Sequence, residues 1–312
     1  MATSGDDTFS VSRDDIINTA YENIGMKGIG RVLSAEDIEK AALRLNLIVK
    51  QWMGTADFAP GLKMWSRKTG YLFLQNGTAE YTLGPSGSHA TSSYVSTTLS
   101  AALAIAATAA TVASITGISS GDNIGLEMSN GSLHWTTVNG APAGSTVTLT
   151  TGPTVACDSG AKVYAYTSKV RRPLEILTMV RRNNDGVDDP MYPMLRETYE
   201  MVADKDAAGT PAQYLDESTL TDGSLYLDTA PDDVTDVLRF IFLRPIEDFD
   251  ASTDTPDFPQ QWYRPLVNQL SMDLGPGFGK DISAVKLLRD ESLAIAQNWD
   301  AETTNVFFES ET

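Results

Sequence analysis

Trp262, Leu266, Leu270 and Leu274 recur every fourth residue, between Asp257-Phe-Pro259 and Gly275-Pro-Gly-Phe-Gly279. In a helix that spacing puts four large apolar side chains on one face. The flanks agree. Proline fixes φ and lacks a donor that the first helical turn does not need, while three glycines and a proline stop the helix at its far end. Asp281 is the expected N-cap of a following helix, with Val285, Leu288, Ile295 and Trp299 expected on its buried side. Residues 254–301 therefore read as a helical hairpin in which Trp262 and Trp299 pack a core.

The other end of the chain carries the same pattern. Ser12 with Asp15 forms a capping-box signal, Ile16, Ala20 and Ile24 share a face with Ile17 and Tyr21 beside them, and Gly25 ends the run. Ser34 and Asp37 repeat the start signal. Ile38, Ala41, Ala42, Leu45, Ile48, Val49 and Trp52 then mark an amphipathic helix closed by Gly54. Two hairpins from opposite ends predict a four-helix unit.

Between them the periodicity changes to that of strands. Tyr71–Leu74 and Ala79–Leu83 flank Asn76-Gly77, a strong hairpin signal because a type I′ turn needs two positive φ angles. From about 87 to 168 the chain turns to Ala, Ser, Thr and Gly with few charges, and five short strand-like runs are separated by glycine-bearing turns. Leu174–Arg181 and Val237–Leu243 read as strands, Ala212–Asp216 is expected to pair with Ser224–Asp228, and Leu195–Val202 reads as a short helix. The expected fold class is α+β: a helical-hairpin bundle from both chain ends plus an antiparallel β region, with an inserted small all-β domain. The core is then discontinuous, residues 1–86 and 169–312, with 87–168 as the inserted module.

A chain of 312 residues with 42% hydrophobic residues can build a sizeable core. Its one cysteine, Cys157, excludes a disulfide framework within one chain. The N-terminus is polar and acidic rather than basic then apolar, so synthesis in the cytoplasm is expected. Residues 99–118 carry no charge but are mostly Ala, Ser and Thr, so no membrane span is expected. With 41 acidic against 23 basic side chains the net charge is −18, which opposes sequence-specific binding to a phosphate backbone.

Motifs for chemistry are weak. Gly117-Ile-Ser119-Ser-Gly121 matches a nucleophile elbow, but a strand is expected after it and only two histidines, His89 and His134, are present. Gly275–Lys280 lacks the first glycine and the Ser or Thr of a phosphate loop, and Asn184–Asp189 lacks the spaced oxygens of a calcium loop. The carboxylate pairs Glu291 with Glu302 and Asp248 with Asp254 carry little information in so acidic a chain. No catalytic constellation, metal site or cofactor is expected.

The order of features does carry information. The capped N-terminal hairpin is followed by Tyr81-Thr-Leu-Gly84, Arg172-Pro173, and Tyr199-x-x-Val-x-x-Lys205-x-x-x-Gly209-x-Pro211. Leu238-Arg-Phe-Ile-Phe-Leu-Arg-Pro245 and the hairpin opened by Phe258-Pro-Gln-Gln-Trp262 come last. Over residues 10–85 and 169–303 this order resembles the head-to-tail adaptor (connector) family of short-tailed bacteriophages, also described as tail tubular or packaged-DNA stabilisation proteins. The module resembles domains inserted into some of them, and Pro265 departs from the pattern. The resemblance implies a structural virion protein, not an enzyme, assembled in the host cytoplasm and located at the head-tail junction. It implies a homo-oligomeric ring, typically dodecameric, joining the portal protein to the tail nozzle protein, extending the DNA channel and helping to retain packaged DNA. Double-stranded DNA would pass non-specifically, and no membrane is involved. The expected assembly interface comprises Trp262, Tyr263, Lys286, Arg289, Val306, Phe307 and Phe308, with the two C-terminal phenylalanines as anchors on the portal. The alternatives are a tail-tube or nozzle subunit and a cell-wall hydrolase using a carboxylate acid.

Overall fold

The structure, a computed structural model, describes residues 5, 7–28, 32–54 and 64–300. It divides into two compact units, Met1–Ser66 with Pro245–Thr312 and Arg67–Arg244. The α-helices are α1 (Arg13–Asn23), α2 (Ala35–Met53), α3 (Arg196–Glu200), α4 (Tyr263–Leu274) and α5 (Ser283–Trp299). All but α3 lie in the first unit.

Local chemistry sets their ends. Ser12 Oγ accepts the Asp15 N–H at 3.2 Å while the Asp15 carboxylate accepts the Ser12 N–H at 3.1 Å, closing a reciprocal cap on α1. Gly25, at φ 68°, takes the left-handed conformation just past that helix. Ser34 caps α2 through the Asp37 N–H at 3.1 Å. Pro265 falls in the first turn of α4, where its missing N–H costs nothing, so the departure noted in the sequence is accommodated. Trp262, Leu266, Leu270 and Leu274 are all buried. They share one apolar core with Ile16, Tyr21, Leu45, Val49 and Trp52. The rings of Trp52 and Trp262 meet edge to face at 5.6 Å.

The second unit is made of strands. In chain order they are β1 (Arg67–Phe73), β2 (Glu80–Leu83), β3 (Ala90–Thr91), β4 (Val95–Thr98), β5 (Ala109–Thr111), β6 (Asn123–Glu127), β7 (Leu133–Thr137) and β8 (Thr146–Thr148). They continue with β9 (Lys162–Tyr166), β10 (Glu175–Arg182), β11 (Asp188–Pro193), β12 (Ala208–Gly209), β13 (Gln213–Ser218), β14 (Gly223–Leu227), β15 (Ala230–Pro231) and β16 (Val237–Leu243). Eight form one almost closed, barrel-like sheet in the order β2-β14-β13-β11-β10-β16-β1-β3. The 87–168 segment builds a four-stranded sheet β4-β9-β6-β7 and the pair β5-β8, around a core that includes Leu99, Ile124, Val147 and the fully buried Cys157.

The expected fold class is corrected by this architecture. Strands outnumber helices sixteen to five among the described residues, and the eight-stranded sheet, rather than a helical-hairpin bundle from both ends, dominates the chain. The helices form a layer centred on α4, which packs against α1, α2 and α5. Amphipathic helices advertise themselves over ten or more residues, whereas strands of two to eight residues leave weak signals that are easily underweighted. A second correction concerns Asn76-Gly77. A turn is present, with Gly77 at φ 71°, but Asn76 lacks the positive φ that type I′ requires, and β1 and β2 do not pair with each other. β1 pairs with β16 and β3, and β2 pairs with β14 at the opposite end of the sheet order. The expected pairing of 212–216 with 224–228 is present as β13 with β14, in the register Tyr214↔Leu227. Residues 99–118 contain β5 and turns, and among the described residues no helix is long and apolar enough to cross a membrane.

Two glycines let aromatic rings lie flat across neighbouring strands. Gly70 faces Phe240 across β1 and β16, and a Cβ there would collide with the ring. Gly125 faces Trp135 across β6 and β7, where a Cβ would come within 2.8 Å of the indole. Gly70→Val is expected to lower stability by roughly 1–3 kcal/mol through overpacking, read as a lower urea midpoint, whereas an unchanged midpoint would show that Phe240 repacks freely.

The module meets the large sheet through aromatic rings. Phe73 of β1 lies 4.9 Å from Tyr164, 5.1 Å from Trp135 and 5.2 Å from Tyr94. His89 stacks on Trp135 at 3.9 Å and pairs through Nδ1 with the Tyr166 hydroxyl at 2.6 Å. Burial, aided by the Lys169 charge, pushes the His89 pKa down to about 4. Because the folded value lies below the unfolded one, His89 contributes stability that is complete above about pH 6.5 and declines as pH falls from there toward 4. Melting temperatures between pH 7.5 and 5.5 are expected to fall more steeply in the wild type than in His89→Gln, and parallel slopes would refute this.

Candidate functional site

The surface best equipped to meet another molecule lies on the helical unit, and α5 creates it. The side chains of α5 that are buried are Val285, Ser292 and Ala296. At 100° per residue these define a stripe about 60° away from the one formed by Leu288, Ile295 and Trp299. Those three are 40%, 62% and 49% exposed. The expectation that they face the core is therefore corrected, although Val285 is placed as expected. Asp281 also differs slightly from its expected role: its carboxylate accepts the Ser283 N–H at 2.9 Å, but the residue in the N-cap position is Ile282.

The rotation has a polar cause. Asn268 of α4 is 4% exposed and donates to Ser292 Oγ at 3.2 Å; Ser292 Oγ in turn donates to the Arg289 carbonyl at 3.1 Å. Asn23 of α1 donates to Ser271 Oγ at 3.2 Å, and Ser271 is fully buried. Buried polar groups are costly when left unpaired, so Asn268 must face a partner, and Ser292 is the residue on α5 that supplies one. Small side chains at 292 and 296 allow the close approach, and the large apolar residues are turned outward.

Beside the outward stripe runs a groove of about 500 Å³, shaped by Phe9, Val11, Tyr263, Val267 and Leu288 with Arg264 at its side. A smaller hollow of about 90 Å³ between Arg264, Leu288 and Ile295 continues it along α5. Phe9 is 66% exposed, and its ring lies 6.4 Å from that of Tyr263. A second exposed apolar pair, Leu43 and Leu47, is one turn apart on α2, opposite its buried Ala41, Leu45 and Ile48.

The residues expected at an assembly interface fall into three groups. Tyr263 lines the groove, Lys286 is exposed on α5, and Arg289 is half-buried, paired with Asp290 at 3.1 Å and donating to Met272 Sδ at 3.4 Å. Trp262 is 1% exposed, so its ring belongs to the core of its own unit, and its assignment to an interface is corrected. Val306, Phe307 and Phe308 lie outside the described residues. The sequence reading missed Leu43, Leu47 and Phe9. The first two could have been found as large apolar residues on the polar side of an otherwise clean amphipathic pattern.

Most of the candidate catalytic groups are engaged in structural bonds. Ser119 lies in a turn that leads into β6, and its N–H is held by the Asp122 carboxylate at 2.7 Å. His134 bonds the Thr151 carbonyl at 3.1 Å. Asp248 pairs with Lys50, and Asp254 accepts the Asp250 and Ala251 N–H groups in a turn. Glu302 lies outside the described residues, among which no cluster of His, Cys, Asp and Glu is placed to hold a metal ion. In comparisons with known proteins, the chain matches no family model and no curated sequence.

Replacing the buried amide tests the account of α5. Asn268→Leu is expected to cost about 1–3 kcal/mol and to speed hydrogen exchange along α5, because Ser292 Oγ loses the bond that ties α5 to α4. Ile295→Ala, at the exposed stripe, is expected to stay within about 0.5 kcal/mol of wild type. Equal losses for both would show that Ile295 is a core residue after all.

Proposed function

We propose that this chain is a structural subunit of the head-to-tail adaptor class, assembling into a ring that joins a portal to a tail nozzle and extends the channel through which DNA passes. The observation that carries the reading is the pair of exposed apolar stripes on separate helices of one unit, Leu43 with Leu47 and Leu288 with Ile295 and Trp299. A closed ring of identical subunits needs two different surfaces that complement each other head to tail. Contiguous apolar surface on the outside of a helical layer marks sites of association. The ordered motifs described above support the same class, and within them Lys205 lies over the Tyr199 ring at 5.0 Å. A net charge of −18 suits a channel that DNA slides through without being held. The site of action on this reading is the head-tail junction of a virion.

Native mass spectrometry and negative-stain imaging of the full chain, alone and mixed with a portal protein of a short-tailed phage, test the proposal. Rings are expected in at least the second sample. Ile295→Glu, Leu43→Glu with Leu47→Glu, and Lys286→Glu with Arg289→Glu are each expected to abolish or weaken ring formation while leaving the circular dichroism spectrum and melting temperature near wild type. A chain that stays monomeric in both samples, or rings that survive all three changes, would overturn it.

A further inference from the structure

The second unit contains a cleft whose charge is opposite to that of the chain as a whole. It encloses about 410 Å³ and is lined by Lys68, Lys169, Arg171 and Arg244, by the hydroxyls of Thr69, Ser92 and Ser168, and by Val170 and Phe242. No lining residue is acidic, although acidic side chains outnumber basic ones 41 to 23 in the sequence. Lys68 is exposed and makes no ion pair among the described residues. Lys169 is half-buried and anchored by a bond from Nζ to the Gly87 carbonyl, which holds its ammonium in place while leaving further donors available.

The cleft sits where the inserted module leaves the large sheet. Ser92 directly follows β3 on the outgoing segment, and Ser168 to Arg171 lie on the returning segment between β9 and β10. The two segments are already tied together: Val170 donates to the Ala90 carbonyl at 2.9 Å, and Thr91 Oγ1 donates to the Ser168 carbonyl at 2.8 Å. The cations and hydroxyls are therefore carried on ordered backbone, with Phe242 and Val170, both nearly buried, as an apolar floor. The ammonium groups of Lys68 and Lys169 beside neutral hydroxyl donors, with no acidic residue in the lining, match a tetrahedral oxyanion. The overall negative charge repels polyanions at long range, so any such ligand must be held by this local geometry rather than by bulk attraction.

We propose that this cleft at the neck of the module is a binding site for a phosphate group, supplied either by a free phosphate anion or by the phosphodiester backbone of nucleic acid. The site is independent of the ring-forming surfaces on the helical unit. A bound phosphate would contact both neck segments and so fix the module on the sheet. It would also offset the Lys169 charge felt by His89, which supplies a local reporter.

The test is histidine-ring NMR of the full chain, titrated at fixed ionic strength with inorganic phosphate in one arm and a short random-sequence DNA duplex in the other. Saturable shifts of the His89 ring, with a rise in its apparent pKa, are expected in at least one arm. Saturation by phosphate alone assigns a free anion, and saturation by the duplex assigns the backbone. Lys68→Glu, at an exposed position without a structural bond, is expected to weaken the response about tenfold or more by placing a like charge against the ligand. Absence of saturable shifts in both arms, or a Lys68→Glu response equal to wild type, would overturn the proposal.

Discussion

The pairing of β16 along its whole length holds the larger unit together. On one side Val237–Leu243 pairs with β1 in unbroken register, and on the other with β10 through a single irregularity near Ile176 and Thr178. Every other connection of the sheet is shorter. The strand can occupy this position because it is buried along almost all of its length, with Val237, Leu238, Phe240, Phe242 and Leu243 excluded from water. A residue shift on either side would exchange the faces of those side chains and remove Gly70 from its place opposite the Phe240 ring. Register, core and the position of the glycine thus specify one another.

The 87–168 segment depends on that spine through Phe73. This residue ends β1 and carries the ring around which Tyr94, Trp135, Tyr164 and Tyr166 gather. Edge-to-face and tilted ring contacts of this kind add directional preference to simple burial, which suits a junction that must hold two sheets in one orientation. His89 is part of the same packing and is neutral there because the ring stack leaves its charge little water. Polar residues set orientation in the helical unit instead. The Asn268–Ser292 contact fixes which side of α5 faces α4, and the apolar surface available to a neighbour follows from that choice.

Legibility differed by element for identifiable reasons. Helix boundaries were readable because capping is local: Ser12 with Asp15 and Ser34 with Asp37 contain both partners of their bonds within four residues. The face of α4 was readable because its large apolar residues are also its buried ones. For α5 the same inference placed Val285 but failed for Leu288, Ile295 and Trp299, since the rest of its buried side is Ser292 and Ala296, and hydrophobicity gives no signal for a helix docked through small and polar side chains. Strand partners were readable for β13 and β14, which are joined by a short turn, and unreadable for β1 and β2, whose turn is present but whose hydrogen bonds go to strands far away in sequence.

By itself, then, the sequence determined the local events: where helices begin, where glycines turn the chain, which runs are extended, and that the chain is strongly acidic. The tertiary structure alone decided the rest. It closed eight strands into an almost complete barrel-like sheet, centred the helices on α4, turned Leu288, Ile295 and Trp299 outward, and gathered four cations from three separate stretches into one cleft. The physical reason is range. Caps and turns are satisfied between near neighbours, but backbone hydrogen bonds between distant strands and the pairing of a buried amide are settled only when the whole chain competes for partners.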